Sequence, residues 1–239
     1  MERLGCGDEL NFEQRYDRHL RLSEIGSEGQ KKLRDASVLL IGVGGLGSPI
    51  ALYLAAAGIG RIGLVDDDRV SLSNLQRQVL YSEEEIGKLK VECARKRLLQ
   101  NNSHLQVNIY PERLDGNNVA RIFRDYDMVI DGCDNYETRY LIDRMSKTFG
   151  MPYIYGSIGE FHGQVAVFNC LDSCSYSDLF PDPQTTPQVP KGVMGVMPGV
   201  IGTLQASEAI KLITGAGEPL INKMLTIDLL TMEMKLLMF

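Results

Sequence analysis

The chain has 239 residues, enough for one domain with a full core, or one domain and a small appendage. It is 44% hydrophobic and 23% charged, and its net charge of -6 leaves no basic footprint for a nucleic-acid partner. No apolar run reaches the ~18 residues a bilayer span needs, and the polar, acidic stretch 1–10 does not read as a signal peptide. The expectation is therefore a cytoplasmic protein that engages neither membrane nor nucleic acid. Five cysteines (Cys6, Cys93, Cys133, Cys170, Cys174) form no C-x-x-C pair, which favours reduced thiols over a disulfide framework.

In chain order, Asn11 to Leu22 carries five charged residues and reads as an exposed helix, part of an arm over about 11–34 and a candidate subunit contact. Ser37 to Ile41 is a short apolar run, a buried strand, and it leads into the glycine turn 42–47. A helix over 48–57 stops at Gly58, and a second strand, 61–65, is closed by Asp66, Asp67 and Asp68. That is one βαβ unit. Ser82 with Glu85 has capping-box spacing and predicts a helix running to about Gln100. Strands near 107–110 and 128–131 alternate with helices near 117–124 and 137–149, followed by an extended stretch over 152–155. The whole predicts a Rossmann-like α/β fold: a mostly parallel sheet with helices on both faces, its nucleotide-binding part spanning about 37–157.

Beyond Gly156 the pattern changes. A strand over 163–169 precedes a stretch, 171–192, that holds four of the nine prolines and predicts a loop of about twenty residues. A helix over about 202–214 and two strand-like runs, 224–227 and 232–237, close a C-terminal part with additional antiparallel strands. The expectation is a single domain over 1–239.

Gly42-x-Gly44-x-x-Gly47 follows a strand and opens a helix, the context in which such glycines cradle phosphate against a helix N-terminus. Asp66 ends the next strand, where a carboxylate accepts from ribose hydroxyls. This predicts nucleotide binding and leaves NAD and ATP open, because both carry an adenosine ribose. Arg77 and Lys90 lie within 24 residues of Asp66 and together suit a triphosphate, with solvated surface as the alternative. The stretch 130–135 ends a strand expected beside the first two, so its Asp134 is expected to point into the same crevice. A carboxylate beside a polyphosphate calls for a cation between them, so Asp134 reads as a Mg²⁺ ligand, or as the cap of the following helix. Cys133 reads as packing rather than as a nucleophile.

At these residues the chain resembles the ThiF/MoeB/HesA family, bacterial relatives of ubiquitin-activating enzymes. The shared stretches are 15–22 (RYDRHLRL), 42–48 (GVGGLGS), 66–78 (DDDRVSLSNLQRQ), 87–92 (GKLKVE), 131–135 (DGCDN), 163–167 (GQVAV) and 195–206 (GVMPGVIGTLQA), in the family's order. The resemblance implies an adenylyltransferase that uses ATP and Mg²⁺. Its substrate would be the C-terminal glycine of a small ubiquitin-like sulfur carrier ending in Gly-Gly, of the thiamine or molybdopterin biosynthesis type. It also implies a homodimer. Carried over by position, Gly45 with Gly42, Gly44 and Gly47, together with Asp66 and Asp68, contacts the adenosine part. Asn74, Arg77 and Lys90 hold phosphates, Asp134 handles the metal, and Arg18 enters the site from the partner subunit.

The chain also departs from its relatives. Many of them hold zinc with two C-x-x-C pairs. The place of the first reads Cys174-Ser-Tyr-Ser-Asp178 here, and the second falls past Phe239, so no zinc is expected. A cysteine that relatives use for sulfur chemistry would fall near Gln188, where there is none, leaving any sulfur step to another protein or to Cys174. Three alternatives remain open at this point: adenylation of a small-molecule carboxylate, an NAD-dependent oxidoreductase, and a non-catalytic nucleotide sensor.

Overall fold

Ser37–Ile41 is buried at every position and forms β1, the strand around which the rest assembles. The computed structural model describes residues 6–181 and 192–239, with side chains from residue 12 onward. Parallel to β1 on one side run β2 (Arg61–Val65) and then β3 (Gln106–Tyr110); on the other run β4 (Met128–Asp131) and then β5 (Tyr153–Gly159). The antiparallel strands β6 (His162–Phe168), β7 (Lys223–Asp228) and β8 (Glu233–Met238) complete an eight-stranded sheet in the order β3-β2-β1-β4-β5-β6-β7-β8. Buried on both faces, the parallel strands read as continuous apolar runs rather than as alternating ones.

One face packs beneath α2 (Gly26–Asp35), α3 (Gly47–Ala57), α4 (Lys90–Asn101) and α8 (Val196–Thr214). The other carries α5 (Val119–Phe123), α6 (Tyr136–Phe149) and the short α7 (Tyr176–Leu179), around an aromatic cluster of Tyr153, Tyr155, Phe168 and Tyr176. Truncating a wholly buried strand residue such as Leu39 or Leu40 to alanine costs about 2–5 kcal/mol. Among the described residues no helix is long and apolar enough to cross a membrane.

Four sequence expectations are corrected. The capping box of Ser82 and Glu85 exists but closes only a 3-10 turn, Glu83–Glu85. Gly87, at φ +87°, breaks the run, and Gly87 and Lys88 exchange backbone hydrogen bonds with Val70, so α4 begins at Lys90. The helix expected from 202 begins at Val196, because Pro198 in a first turn gives up an N–H that has no intrahelical partner there. The expected loop 171–192 contains α7, whose first N–H groups the buried Asp143 carboxylate accepts; residues 182–191, and with them the position near Gln188, lie outside the described residues. The polar N-terminal helix, α1 (Cys6–Leu20), still buries Tyr16, whose hydroxyl accepts from Asn102.

Candidate active site

Between β1 and β4 the chain reverses its direction of travel across the sheet, and the two strands end side by side. This is the switch point at which open α/β sheets leave a crevice. Gly42 leaves β1 at φ +86°, and a Cβ there would lie 2.7 Å from the Gly132 carbonyl oxygen, so the two strand ends come together on backbone alone. Past it, the N–H groups of Gly44, Gly45, Leu46 and Gly47 have no acceptor among the described residues, while Ser48 N–H already donates to Gly44. Donors without a partner at the positive end of a helix have the chemistry that suits an anion.

Asp66, at the end of β2, braces this turn. Its Oδ2 accepts from Val43 N–H at 2.7 Å and its Oδ1 from Asp68 N–H at 2.8 Å. Burial raises its carboxyl above the ordinary aspartate range, against the Lys90 ammonium and the two N–H groups, which pull it down. Tyr81, a buried residue that precedes the Ser82 capping box, donates its hydroxyl to Val43 O of this turn at 2.7 Å. Lys90, the first residue of α4, reaches Asp68 Oδ2 at 2.8 Å.

The 3-10 turn Leu72–Asn74 leads to Arg77, whose Nη1 donates to Ser73 O at 3.0 Å. A Cβ on Gly45 would lie 3.7 Å from Arg77 Cδ and 3.1 Å from Pro198 Cβ, so Arg77 and the start of α8 wall the glycine turn. Asn74 accepts Arg77 N–H with its backbone oxygen, and its side chain has no partner among the described residues. On the β4 side, Asp134 stands two residues past Gly132, exposed and without a hydrogen bond or ion pair among the described residues. The helix-cap alternative for Asp134 fails: Asn135 is the cap, its Oδ1 accepting from Thr138 N–H at 2.9 Å.

By direct contact, the structure joins the glycine turn to Asp66, Asp66 to Asp68, Asp68 to Lys90, and Gly45 to Arg77, while Asn74 lies on the turn before Arg77 and Asp134 in the loop two residues past Gly132. Arg18 is not among them. Its helix packs Tyr16 against Gly58, the far end of α3, about 16 Å from the glycine turn at 1.5 Å per residue over eleven residues. A hard carboxylate that is exposed and without a partner among the described residues, as Asp134 is, has the donor chemistry that suits a magnesium ion. Burial pushes the Cys133 thiol well above its ordinary range, and that of Cys174 up as well, so neither is an activated thiolate.

Sequence reasoning missed Gln78, which is buried against Gly44 with an Oε1 that has no partner among the described residues, and Arg139, a buried cation in α6. A charged residue among Leu141 and Ile142 on a helix opening beside the crevice was the available signal for the second.

Fold and crevice define the class: a doubly wound α/β protein with its cations, acids and free N–H groups collected at the sheet's switch point. The profile of the ThiF family matches residues 16–238. The sulfur carrier protein adenylyltransferase of Thermus thermophilus is 45% identical over 226 residues, 90% of this chain and 83% of that protein. The probable adenylyltransferase/sulfurtransferase MoeZ of Mycobacterium tuberculosis is 43% identical, and the match covers 92% of this chain but 58% of that longer protein. Among solved structures, E. coli MccB with ATP matches at TM-score 0.82 and 26% identity, over 94% of this chain and 70% of that one. The chain belongs to the ThiF family.

Proposed function

We propose that this ThiF-family adenylyltransferase transfers AMP from ATP to the C-terminal glycine carboxylate of a small ubiquitin-like sulfur carrier. One carboxylate oxygen attacks the α-phosphorus, the bond to the bridging α,β oxygen breaks, and pyrophosphate leaves. The carboxylate is already ionised at neutral pH, so no general base is needed. The obstacle is charge, because an anion must approach a polyanion.

The observation that carries the reading is the buried Lys90 ammonium set at the rim of the same crevice as the free N–H groups of 44–47. In this reading Asp66 accepts from the ribose hydroxyls, and the glycine turn lies along the adenosine part. Asn74, Arg77 and Lys90 bind the phosphates, with Asp68 keeping the Lys90 ammonium pointed outward. Asp134 would hold magnesium, which when bound neutralises charge on the triphosphate and the departing pyrophosphate. Arg18 adds a further cation from the second subunit of a homodimer, since its own helix lies at the wrong end of α3.

The names of the relatives favour nucleotidyl transfer over hydride transfer. ATP–pyrophosphate exchange tests the reading. Exchange is expected only with a carrier protein ending in Gly-Gly. Exchange driven by small carboxylic acids without any carrier would move the substrate class, and none under either condition would overturn the reaction.

A further inference from the structure

Asp131, the last residue of β4, is wholly buried, and its groups point at the loop that follows. Its Oδ1 accepts from Cys133 N–H at 2.9 Å. Its Oδ2 accepts from Tyr153 hydroxyl at 2.9 Å and from Arg139 Nε at 3.2 Å. Arg139, in the second turn of α6 and also buried, donates from Nη2 to Cys133 O at 3.2 Å and reaches Gly156 O at 3.5 Å. Gln205 of α8 donates to the Asp131 carbonyl oxygen at 2.7 Å.

Cys133 is therefore gripped at both its N–H and its C=O, the first by Asp131 and the second by Arg139. The Cys133 carbonyl belongs to the same peptide unit as the Asp134 nitrogen, so Arg139 fixes the plane from which Asp134 departs. On the other side Asn135 is pinned as the cap of α6. Asp134 is thus the one residue of 133–135 whose side chain and exposure serve no local contact, held between two fixed neighbours.

We infer that Arg139 and Asp131 are positioning residues that aim the Asp134 carboxylate into the crevice, and so set the affinity for the divalent cation on bound nucleotide. The guanidinium is suited because it is planar and forked: Nε meets a carboxylate while Nη2 meets a carbonyl. Lysine keeps the charge but cannot do both. A purely structural pair would stabilise the fold without changing cation binding once the protein is folded.

The inference rests on Asp134 being the cation ligand, and the test separates the two. Mn²⁺ affinity is measured by water-proton relaxation on the protein with a non-hydrolysable ATP analogue, alongside amide exchange at Cys133 and Asp134. Arg139→Lys is expected to weaken Mn²⁺ at least ten-fold and to speed exchange at both amides, while affinity for the metal-free nucleotide stays within two-fold. Should that variant fail to fold, Asp131→Asn with Arg139→Met, which removes both charges together, serves in its place with the same expectation. In a double-mutant cycle with Asp134→Ala, the Arg139 substitution is expected to cause no further loss of Mn²⁺ affinity. A folded Arg139 variant with unchanged Mn²⁺ affinity, or losses that add fully in the cycle, overturns the positioning role. An Asp134→Ala protein that keeps its Mn²⁺ affinity overturns the ligand assignment and this inference with it.

Discussion

Lys90 and Asp68 form an ion pair of 2.8 Å in which the ammonium side chain is 5% exposed and the carboxylate 68%. The asymmetry means that Asp68 can turn toward solvent, whereas Lys90 is buried; in the proposed reading, an incoming phosphate offsets the cost of burying it. Lys90→Met is expected to weaken ATP by about 10- to 100-fold, the range of one charge-assisted contact of ~1.5–3 kcal/mol. It also removes an attraction that lowers the Asp66 carboxyl. The Asp66 carboxyl sits above its unfolded value, and its ionised form is the acceptor, so nucleotide binding present at neutral pH is lost as pH falls through that raised value. In Lys90→Met the loss begins at higher pH still. Calorimetric affinities between pH 4 and 8 check this, and identical midpoints in the two proteins count against the role given to Asp66.

The glycines of the turn are expected to respond differently to alanine. At Gly45 a Cβ would stand 3.1 Å from the Cβ of Pro198, a stiff neighbour, so α8 or Arg77 must shift by a few tenths of an ångström. At Gly44 the nearest atom is the end of the flexible Gln78 side chain, at 3.4 Å. At Gly47 a Cβ would overlap the carbonyl oxygen of Gly42. Gly47→Ala is expected to lose ~3 kcal/mol or more, seen as a drop in melting temperature. Gly45→Ala is expected to fold and lose about ten-fold in ATP affinity, with Gly44→Ala milder in both respects. A Gly47→Ala protein as stable as wild type would contradict the described closeness of the turn.

The parts of the molecule that the sequence made legible are those whose cause is local. The run 37–65 is strand, glycine turn, helix and strand because apolar runs, a left-handed Gly58 and short connections all act over a few residues. The parallel strands were legible for the same reason, so Gly42 and Asp66, each directly after a strand, and Asp134, in the loop three residues past β4, follow strand ends at one edge of the sheet. What could not be read depends on partners remote in the chain. The box at Ser82 was locally sound, but pairing with Val70 diverted the segment after it. The first residues of α8, Val196 to Ile201, precede the expected start at 202, and Pro198 among them packs against Gly45 of the glycine turn, more than 150 residues away in the chain. Arg139 owes its meaning to Tyr153, Gly156 and Gln205, none of them within a helical turn of it.

Asp134 and Asn135 are adjacent, yet their substitutions should separate cleanly. Asn135 caps α6, so Asn135→Ala is expected to cost about 1 kcal/mol of stability. Asp134 has no partner among the described residues, so Asp134→Ala should melt within a few degrees of wild type while ATP–pyrophosphate exchange is abolished. Thermal melts and exchange assays on the two variants decide it. An active Asp134→Ala protein would remove the metal assignment, and an unstable one would show that the residue supports the loop instead.

Arg18 gives the sharpest test of how many chains make one site. Its side chain is 91% exposed, and its closest charge is its neighbour Asp17 at 4.0 Å, a loose contact that leaves the guanidinium available. If a partner's Arg18 completes the crevice, Arg18→Ala and Lys90→Ala are each inactive as pure proteins. They fail for different reasons, one site lacking the incoming arginine and the other the resident lysine. Mixed and allowed to exchange subunits, half of the dimers combine one of each. Each such dimer has one crevice with an intact Lys90 that receives an intact Arg18. Activity should therefore return to about a quarter of wild type, as closed two-fold symmetry requires. No recovery, in a mixture shown by mass spectrometry to contain the mixed dimer, would place Arg18 outside the reaction. Full activity of Arg18→Ala alone would do the same.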